Sequence, residues 1–505
     1  MAKELKPLTI YAPSIGIAPS PHNGYGDCRN LDIFSVPGAI KLNNALALKS
    51  GGTVVGLIKW MVINPATPAE VYALDDGGKV YKSANSGNTW SLMTGFTAGG
   101  HGNGLAIFKN YLIVARDAYL DVCGDGTSTG IANANWSNSW QAIDSDVLWH
   151  PMLVSDLDGK LYGGGGRYVF TLEENSGQTF APGTGATFTY TQQALDLPAN
   201  YRIKSLEELG NNLMCGTWQG TNIYDFKIAH IFPWDGTSTT YGQPIKIYEN
   251  GCNGLKTDGS YMYVLAGIEG IVYKSNGVDA WPIAQIPQSI ADLSGGKYLE
   301  PYPGAIIKYK GRIFFGVSGG GTGTIPGMGV YSLKETSKGT IIAHEHTVSS
   351  GDDGTSYVCK IGSLLGITRD TLLVGWRSGT TPTYGIDKTD TSAYQTGYTA
   401  YFDSPLYRVG SNLQKRQFSQ IDILLAQELA ANEGIRIQYR VNLTDSWTTI
   451  GTYIYSGTVT ATTEIIGAVI SHNAIADIPD CELLQIRVLP TGTTTTPTFK
   501  LLELK

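Results

Sequence analysis

The chain is poor in charged residues and has no long apolar run. Only 16% of its 505 residues are Asp, Glu, Lys or Arg, against about 25% in an ordinary soluble domain. Disordered chains are poor in apolar residues and rich in charge, and coiled coils are rich in Ala, Glu, Lys, Leu and Arg, so the composition excludes both classes. No segment approaches the roughly 18 consecutive apolar residues of a membrane-spanning helix, and the first residues, MAKELKPLTIYAPSIG, lack the apolar core of a secretory signal.

Cysteine is scarce, and its spacing forms no recognisable site. The six cysteines are Cys28, Cys123, Cys215, Cys252, Cys359 and Cys481. No two of them are spaced as zinc ligands are, and six in a chain of this length do not make a disulfide framework. We therefore expect reduced thiols in a protein that folds in cytoplasm.

Glycine, tyrosine and turn-forming residues are abundant. The chain has 63 Gly, 22 Pro and 29 Tyr, a composition that favours many short strands joined by tight turns. Its formal net charge is −7 and it has no basic block, so no nucleic-acid groove is indicated, although contact with DNA inside a larger assembly stays open. The length corresponds to roughly three domains, or to one repeat array with an additional module.

A short polar turn followed by an apolar strand, often ending in Gly, recurs along the chain. The second turn residues are Glu70, Asn110, Gly159, Asn211, Gly259, Gly311 and Asp370. Their spacings are 40, 49, 52, 48, 52 and 59 residues. Strand-based repeats of this length are typical of propeller blades, because a four-stranded blade buries its two faces only by stacking on neighbours. The sequence therefore predicts an all-β fold with a roughly seven-bladed β-propeller over residues 46–400.

Residues 83–90 read S-x-N-x-G-x-T-W and resemble the Asp-box hairpin of sialidases and related propellers. The residues that carry this pattern are Ser83, Asn85, Gly87 and Trp90, and its second half recurs at Asn175, Gly177 and Phe180. In such a hairpin a short polar side chain caps the turn, Gly adopts a positive φ and the aromatic ring packs on the blade. The motif marks a fold and indicates no catalysis.

The two ends of the chain differ from the repeats. Alternating strands at residues 419–425, 435–441, 447–455, 463–470 and 483–489 lack the Gly-marked strand of the repeats. They predict a small antiparallel β-sandwich over residues 401–505. The first 45 residues contain many turn-forming residues, which predicts an extended N-terminal arm.

The sequence predicts no catalytic, cofactor-binding or metal-binding residue. His344 and His346 would share one face of a strand and could hold a metal, but no third ligand is evident, and an exposed strand edge is the simpler interpretation. Asp292 and Glu300 could form an acidic pair for glycoside cleavage, and a solvated loop explains them as well.

Two pairs of residues are candidates for interactions. Trp136 and Trp140 lie four residues apart in a polar segment, where they could stack on sugars or anchor a protein interface, or each could pack on a neighbouring blade. Lys415 and Arg416 precede a predicted strand, either as a charged edge that prevents sheet pairing or as a subunit contact.

Two stretches of the chain resemble virion proteins of tailed bacteriophages. Residues 29–44, RNLDIFSVPGAIKLNN, are similar to the arm that precedes the first blade of propeller proteins in such virions. KRQFSQIDILL at residues 415–425, IRIQYR at 435–440 and WTTIGTY at 447–453 are similar to the sandwich that ends many phage tail proteins. The overall plan resembles the tail hub or nozzle proteins of short-tailed phages, and the resemblance transfers no functional residue.

This resemblance implies a non-enzymatic structural component of a virion, assembled in the host cytoplasm. Copies would form a ring at the neck, tail nozzle or tail tip beside other tail, neck and portal proteins. The ring would help to retain and release DNA, which it would contact only passively because basic residues are few. Two alternatives stay open: a receptor- or glycan-binding tail protein, and a glycosidase of the propeller type.

Overall fold

The computed structural model of the chain describes residues 10–11, 27–35, 39–96, 99–124, 131, 135–144, 149–175, 188–219, 228–286, 298–299, 301–320, 327–336, 339–350, 359–379, 381–394, 400–409, 418, 420–426, 429, 433–454, 465–466, 469–474, 477–492 and 500–504. The chain forms two compact units. We call Ala47–Val330 with Val348–Thr389 the propeller unit, and Met1–Leu46 with Tyr331–Thr347 and Asp390–Lys505 the terminal unit.

The first strands of the chain are short. They are β1 (Ile10–Tyr11), β2 (Asp27–Arg29), β3 (Leu31–Asp32), β4 (Ile40–Leu42) and β5 (Asn44–Leu48).

Six separate four-stranded antiparallel sheets occur among the described residues, and we call them blades. The first five blades are, in chain order, β6 (Ile58–Ile63), β7 (Val71–Asp75), β8 (Val80–Ser83) and β9 (Ser91–Leu92); β10 (Gly102–Phe108), β11 (Tyr111–Arg116), β12 (Tyr119–Cys123) and β13 (Trp136–Ala142); β14 (Met152–Val154), β15 (Leu161–Gly165), β16 (Tyr168–Glu174) and β17 (Phe188–Asp196); β18 (Tyr201–Leu209), β19 (Asn212–Gln219), β20 (Ala229–Trp234) and β21 (Ile245–Ile247); and β22 (Cys252–Thr257), β23 (Met262–Ala266), β24 (Ile271–Ser275) and β25 (Ala280–Gln285).

In the propeller region, nine described strands follow the fifth blade, and a 3₁₀ turn at Pro303–Ala305 lies between the first two of them. They are β26 (Tyr298–Leu299), β27 (Ile306–Tyr309), β28 (Arg312–Val317), β29 (Gly319–Gly320), β30 (Gly329–Thr336), β31 (Gly339–His346), β32 (Lys360–Thr368), β33 (Thr371–Ser378) and β34 (Thr383–Tyr394). Strands β32, β33 and β34 form the last blade, and β5 from the N-terminal region is its fourth strand.

Each middle strand packs against both neighbouring blades, because its side chains point alternately to one side of the sheet and to the other. In β11, Leu112 and Val114 pack with side chains of the first blade. Tyr111, Ile113 and Ala115 point the other way and pack with side chains of the third blade. Successive residues of a strand face opposite sides of its sheet, so a continuous apolar strand joins two neighbouring blades.

The ring of blades closes on itself within the propeller unit. The innermost strands of the first five blades contact one another in order, β27 lies between β22 and β32, and β32 of the last blade contacts β6 of the first. The edge of the last blade is covered by the N-terminal segment, where Lys49 N donates to Ile386 O at 2.9 Å. Lys388 Nζ also donates to Ser86 O, 2.9 Å away in a turn of the first blade. Each of these contacts holds the start of the propeller to its end.

The sequence predicted about seven blades, and this number was wrong. The described residues contain six separate four-stranded sheets. The hairpin β27–β28 lies in the ring between β22 and β32. The chain that follows belongs to the terminal unit from Tyr331 to Thr347, where β31 pairs in parallel with β2 through His344 and Arg29. The repeat at Gly311 therefore forms a hairpin in the ring and not a separate blade.

The terminal unit consists of two sheets. Its C-terminal strands are β35 (Tyr401–Asp403), β36 (Tyr407–Arg408), β37 (Gln420–Leu425), β38 (Glu433–Arg440), β39 (Thr448–Ile454), β40 (Ile465–Ile466), β41 (Val469–Asn473), β42 (Leu483–Gly492) and β43 (Lys500–Leu504). One sheet has the order β3-β4-β43-β37-β41-β40, with β1 also paired to β43. The other has the order β31-β2-β35-β42-β38-β39 within this unit, with β36 also paired to β42.

A sandwich confined to residues 401–505 is not confirmed. Strands from the first 45 residues belong to both sheets, and β2 lies between β31 and β35. The two sheets share one apolar core, which includes Leu31, Ile423 and Leu501 from one sheet and Phe402, Ile437 and Val488 from the other. The described strands of the N-terminal segment are therefore part of the unit that the C-terminal strands build. No helix in the described part of the chain is long and apolar enough to cross a membrane.

All six cysteines are buried free thiols. Burial raises the pKa of Cys215 and of Cys252 to about 12. Because the thiolate is the reactive form, we expect a thiol reagent such as DTNB at pH 8 to modify almost none of the thiols in the folded protein, and all six in guanidinium chloride. The absorbance of the released thionitrobenzoate measures the number of modified thiols. Rapid modification of several thiols before unfolding would contradict the described burial.

Candidate functional site at the propeller axis

The innermost strands of five blades carry a β-bulge near their beginning. The extra residues are Lys59 in β6, Asn103 in β10, Lys204 in β18, Asn253 in β22 and Gly362 in β32. A bulge inserts one residue into a strand and redirects its side chain from the regular alternation. Both faces of these blades pack against apolar side chains. At the bulge, a polar side chain can point along the edge of the sheet and not into either face.

Side chains from non-neighbouring blades meet at one tryptophan. Lys59 Nζ lies 4.4 Å from the centroid of the Trp149 ring, and Lys204 Nζ lies 5.0 Å from the same centroid. Trp149 immediately precedes the third blade, while the two lysines belong to the first and fourth blades. Residues so far apart in a ring of blades can share a neighbour only at its axis, so the bulges direct these side chains inward.

Two asparagines orient the lysines. Lys59 Nζ donates to Asn103 Oδ1 at 3.3 Å, and Lys204 Nζ donates to Asn253 Oδ1 at 2.7 Å. Each pair joins two neighbouring blades. A second aromatic ring, Tyr302, meets Trp149 edge-on with centroids 5.7 Å apart.

A third lysine completes the group. Lys360 Nζ, at the start of β32, donates to Tyr302 Oη at 3.3 Å. We call the whole group the axial cluster, which consists of Lys59, Asn103, Trp149, Lys204, Asn253, Tyr302 and Lys360. It brings three ammonium groups, two amides and two aromatic rings together from segments spread over more than half of the chain.

The segment that carries Trp149 is fixed by the next residue. His150 is buried, and its ring nitrogens lie 2.8 Å from Gly164 O and 2.8 Å from Asp117 O. Its backbone N donates to Asn103 O at 2.9 Å. The histidine thus ties the second and third blades together, and it sets the position of the tryptophan ring beside the axis.

Only one of the two polar atoms of the Asn103 side chain is hydrogen-bonded within the described residues. The residue is 0% exposed, and its Nδ2 has no hydrogen-bond partner among the described residues. A buried N–H group without an acceptor costs about 1–3 kcal/mol. The axial cluster therefore presents a buried donor beside the ammonium group of Lys59.

The chemistry of the axial cluster is that of hydrogen-bond donation. Its seven side chains include three ammonium groups and two side-chain amides, and no carboxylate, thiol or imidazole. Nowhere in the described part of the chain do three or more His, Cys, Asp or Glu side chains gather as metal ligands would. The cluster can bind an acceptor group, and its aromatic rings can cover that group from one side.

The two tryptophans predicted as an interaction loop do not form an exposed pair. Trp136 is 5% exposed, and its ring lies 4.5 Å from that of Phe96. Trp140 meets Phe188 edge-on at 6.1 Å. Both tryptophans belong to β13, the outermost strand of the second blade, and pack on neighbouring aromatic rings.

Other residues singled out in the sequence are placed differently. Lys415, Arg416, Asp292 and Glu300 lie outside the described residues. The interpretation of His344 and His346 as an exposed strand edge was wrong, since both are buried in β31, a strand paired with β2.

The turn that resembles an Asp-box has the geometry of a capped hairpin. Ser83 Oγ accepts a hydrogen bond from Gly87 N at 2.9 Å, and Asn85 Oδ1 accepts one from Thr89 N at 2.9 Å. Gly87 has a φ of 83°, and a Cβ built on it would lie 2.7 Å from Leu373 Cδ2 in the last blade. Trp90 is buried in the core between the first and last blades.

The second turn of this kind is described only in part. Asn175 Oδ1 accepts a hydrogen bond from the Thr189 hydroxyl, whereas Gly177 and Phe180 lie outside the described residues.

We expect replacement of the capping amide to weaken the first turn. Asn85→Ala removes the acceptor for Thr89 N and for the Ser83 hydroxyl, which is 3.0 Å away. This change should lower the free energy of unfolding by about 1 kcal/mol. Asn85→Asp keeps the acceptor oxygen for both groups, loses only the exposed Nδ2 donor to the Thr89 hydroxyl, and should change the free energy of unfolding by less than about 0.5 kcal/mol. Denaturant titration of the two variants measures the difference, and equal stability of both would contradict a capping role.

Sequence reasoning missed the axial cluster although a signal was present. Asn103 and Lys204 each lie seven residues before the second turn residue of their repeats, Asn110 and Asn211. A polar residue next to Gly or Ser at this place, inside an otherwise apolar strand, is typical of a bulge. The apolar strand that marks the repeat is the second strand of each unit, whereas the polar residue lies in the first strand.

Several solved structures are similar to this chain, and one of them is a β-propeller domain. The WD40 repeats of RRP9 match with a TM-score of 0.45 and 12% identity, covering 70% of this chain and 99% of that one. The β-propeller domain of Cps50 (Swd1) from Myceliophteria thermophila matches with a TM-score of 0.41 and 10% identity, covering 68% and 100%. YCF48 from Cyanidioschyzon merolae matches with a TM-score of 0.41 and 9% identity, covering 68% and 98%.

No protein-family model matches the sequence, and no curated protein is similar to it. At identities of 9–12% the similarity to solved structures concerns the fold and not the function. The four-stranded sheets and the closed ring of their inner strands show an all-β protein that contains a β-propeller.

Proposed function

We propose that this chain is a non-enzymatic structural subunit of a tailed-phage virion, present as a ring of copies at the neck, tail nozzle or tail tip. The proposal takes the propeller as six separate blades with the hairpin β27–β28 in the ring. It takes the terminal unit as the predicted sandwich, enlarged by the N-terminal strands. Other neck, portal or tail proteins are its partners, and DNA passes the ring during ejection.

The observation that carries this proposal is the placement of β2 in the terminal unit. Residues Asp27–Arg29 pair on one side with Tyr401–Asp403 and on the other with β31. Tension on the N-terminal segment would load the hydrogen bonds on both sides of β2 in shear, so that they break together and not one after another. A connection that resists tension suits a subunit that carries load inside a particle.

The mass and shape of the purified full chain test the proposal. We expect light scattering at micromolar concentration to show a multimer, and electron microscopy to show closed rings with an open centre, because cyclic symmetry closes lateral contacts. A monomer at every concentration, or hydrolysis of a sialoside or polysaccharide that is lost on mutation of one carboxylate, would contradict it.

A second candidate function, recognition of a host glycan, is favoured by an exposed aromatic pair on the fifth blade. Trp281 is 39% and Tyr261 37% exposed, and their rings meet edge-on with centroids 6.5 Å apart. Lys274, the cross-strand partner of Trp281, places its Nζ 3.7 Å from the centroid of the Tyr261 ring. Exposed rings with a nearby ammonium group provide a stacking surface for sugar rings, acidic sugars in particular.

A glycan array with matched variants tests this second candidate. If the aromatic pair binds sugars, Trp281→Ala abolishes the signal, and Tyr248→Ala, which removes an exposed tyrosine outside the pair, retains it. Identical array profiles for the two variants would exclude this surface as the glycan site.

A further inference from the structure

The buried amide of Asn103 defines the requirements for a ligand at the axis. Its Oδ1 already accepts from Lys59 Nζ, so the orientation of the amide is set and its Nδ2 is directed away from that ammonium group. Nδ2 has no acceptor among the described residues, in a side chain that is 0% exposed. The atom that would satisfy it must be a hydrogen-bond acceptor, because an amide nitrogen only donates.

One lysine adjoins this amide, and two more belong to the same cluster. Lys59 Nζ lies 3.3 Å from the same amide, and Lys204 Nζ faces the same Trp149 ring as Lys59 does. Lys360 reaches the second aromatic ring of the axial cluster. An acceptor beside Asn103 therefore lies within the field of several ammonium groups, which favours an anionic oxygen over a neutral one.

We propose that the axial cluster binds a phosphate-type oxyanion, with Asn103 Nδ2 and the ammonium groups of Lys59 and Lys204 as donors and the Trp149 ring as one wall of the site. A tetrahedral anion offers oxygens in several directions, which suits donors that come from the first, second and fourth blades. A carboxylate has two oxygens in one plane and a single charge, and it matches this arrangement less well. Neither sequence comparison nor fold similarity assigns this site.

The position of the cluster adds a structural consequence. Its donors lie on the bulges of inner strands in three different blades, so one bound anion would cross-link these blades. Binding to the folded protein alone raises stability by mass action. We expect the melting temperature of the propeller unit to rise with phosphate concentration and not with equal ionic strength of chloride.

Calorimetric titration of the full chain with inorganic phosphate tests the proposal. Asn103→Asp keeps the shape of the side chain, replaces the donor by a charged acceptor and leaves Lys59 a partner. Lys204→Met keeps most of the side-chain volume and removes the charge. We expect each variant to weaken phosphate binding at least 10-fold. The matched control Lys246→Met removes an exposed lysine of β21 and should leave binding unchanged.

The outcomes separate the possible sources of the anion. Equal binding of acetate and phosphate would replace the phosphate assignment by a general anion site and overturn it. Tighter binding of a phosphomonoester than of inorganic phosphate would support a phosphorylated small molecule as the ligand. No binding at millimolar phosphate, or binding that is equal in Lys204→Met and Lys246→Met, would overturn the proposal. None of these results depends on the ring state of the protein, so the virion proposal stands or fails separately.

Discussion

Gly104→Ala is expected to destabilise the propeller unit by at least about 3 kcal/mol. Gly104 follows the bulge residue of β10, and a Cβ built there would lie 2.0 Å from His150 O, a backbone atom of the segment that leads into the third blade. That segment cannot move away freely, because His150 is bonded to Gly164 O, Asp117 O and Asn103 O. The added methyl group must therefore separate two blades at the axis.

Gly242→Ala is the matched control for this change. Gly242 is exposed, and a Cβ built on it would meet its nearest atom, Pro233 O, at an ordinary 3.5 Å. The control variant should be as stable as the original protein or slightly more stable, because alanine loses less backbone freedom on folding. Thermal and denaturant unfolding of both variants measure the contrast. A Gly104→Ala protein that melts like the control would show that the inner strands do not approach each other as described.

Arg487→Met is expected to destabilise the terminal unit by about 3–5 kcal/mol at pH 8, because it leaves a buried carboxylate without its cation. Arg487 Nε and Nη2 donate to the two carboxylate oxygens of Asp403 at 2.6 and 2.7 Å. The guanidinium carbon lies 3.8 Å from the Tyr401 ring centroid and 4.1 Å from that of Trp447. Methionine keeps part of the aromatic packing and removes both hydrogen bonds and the charge.

The loss should be smaller at pH 5 than at pH 8. Burial raises the pKa of Asp403 to about 6, and the hydrogen bonds and charge of Arg487 act against this rise. When the pKa of a carboxyl is higher in the folded than in the unfolded chain, the group takes up a proton on folding at pH values between those two pKa values. The stability of the fold therefore falls as the pH rises through the folded pKa, where the carboxyl becomes charged. Without Arg487 the folded pKa rises further, and at pH 5 the neutral acid then avoids most of the penalty.

Hydrogen exchange of the segment Leu483–Gly492 reports this change within the terminal unit, separately from the propeller. The control is Arg408→Met, because the Arg408 side chain is 69% exposed and pairs with Glu482 at 2.7 Å. An exposed pair contributes less than about 1 kcal/mol, so this variant should behave as the original protein at both pH values. Equal protection of β42 in the two variants would contradict the role of the buried pair.

The propeller could be predicted from the sequence because its repeat is local. The apolar strand after each polar turn, such as residues 111–115 after Asn110, is the middle strand β11 that joins two blades. In the same way, the alternating stretches at residues 435–441 and 483–489 correspond to β38 and β42. Period and turn chemistry determine both patterns over a few residues, and no distant part of the chain is needed.

The terminal unit and the axial cluster depend on residues that lie far apart in the sequence. That β31 joins the terminal unit is decided by pairing with β2, more than 300 residues earlier, and no local pattern near His344 indicates it. The same holds for the axial cluster, since the meeting of Lys59 with Lys204 requires the whole ring to close. The exposed pair of Tyr261 and Trp281 was missed because Tyr261 precedes β23 and Trp281 lies in β25, twenty residues later. Trp136 and Trp140, by contrast, are only four residues apart in the sequence.

The charge of the chain also takes on a more specific meaning. A net charge of −7 suggested a protein that does not hold DNA. The basic residues are nevertheless concentrated in places, with Lys59, Lys204 and Lys360 gathered at the propeller axis. Passive contact with DNA therefore stays a proposal for the channel wall of a ring of copies, and the propeller axis is proposed as a separate site for a small anion.

The position of the chain in an intact phage particle tests the central proposal most directly. Antibodies raised against the purified protein can be used to label particles for electron microscopy. The account predicts label at the neck or tail, with several copies around the tail axis in each particle. Particles that contain no copy of the chain would contradict it, whatever the purified protein forms on its own.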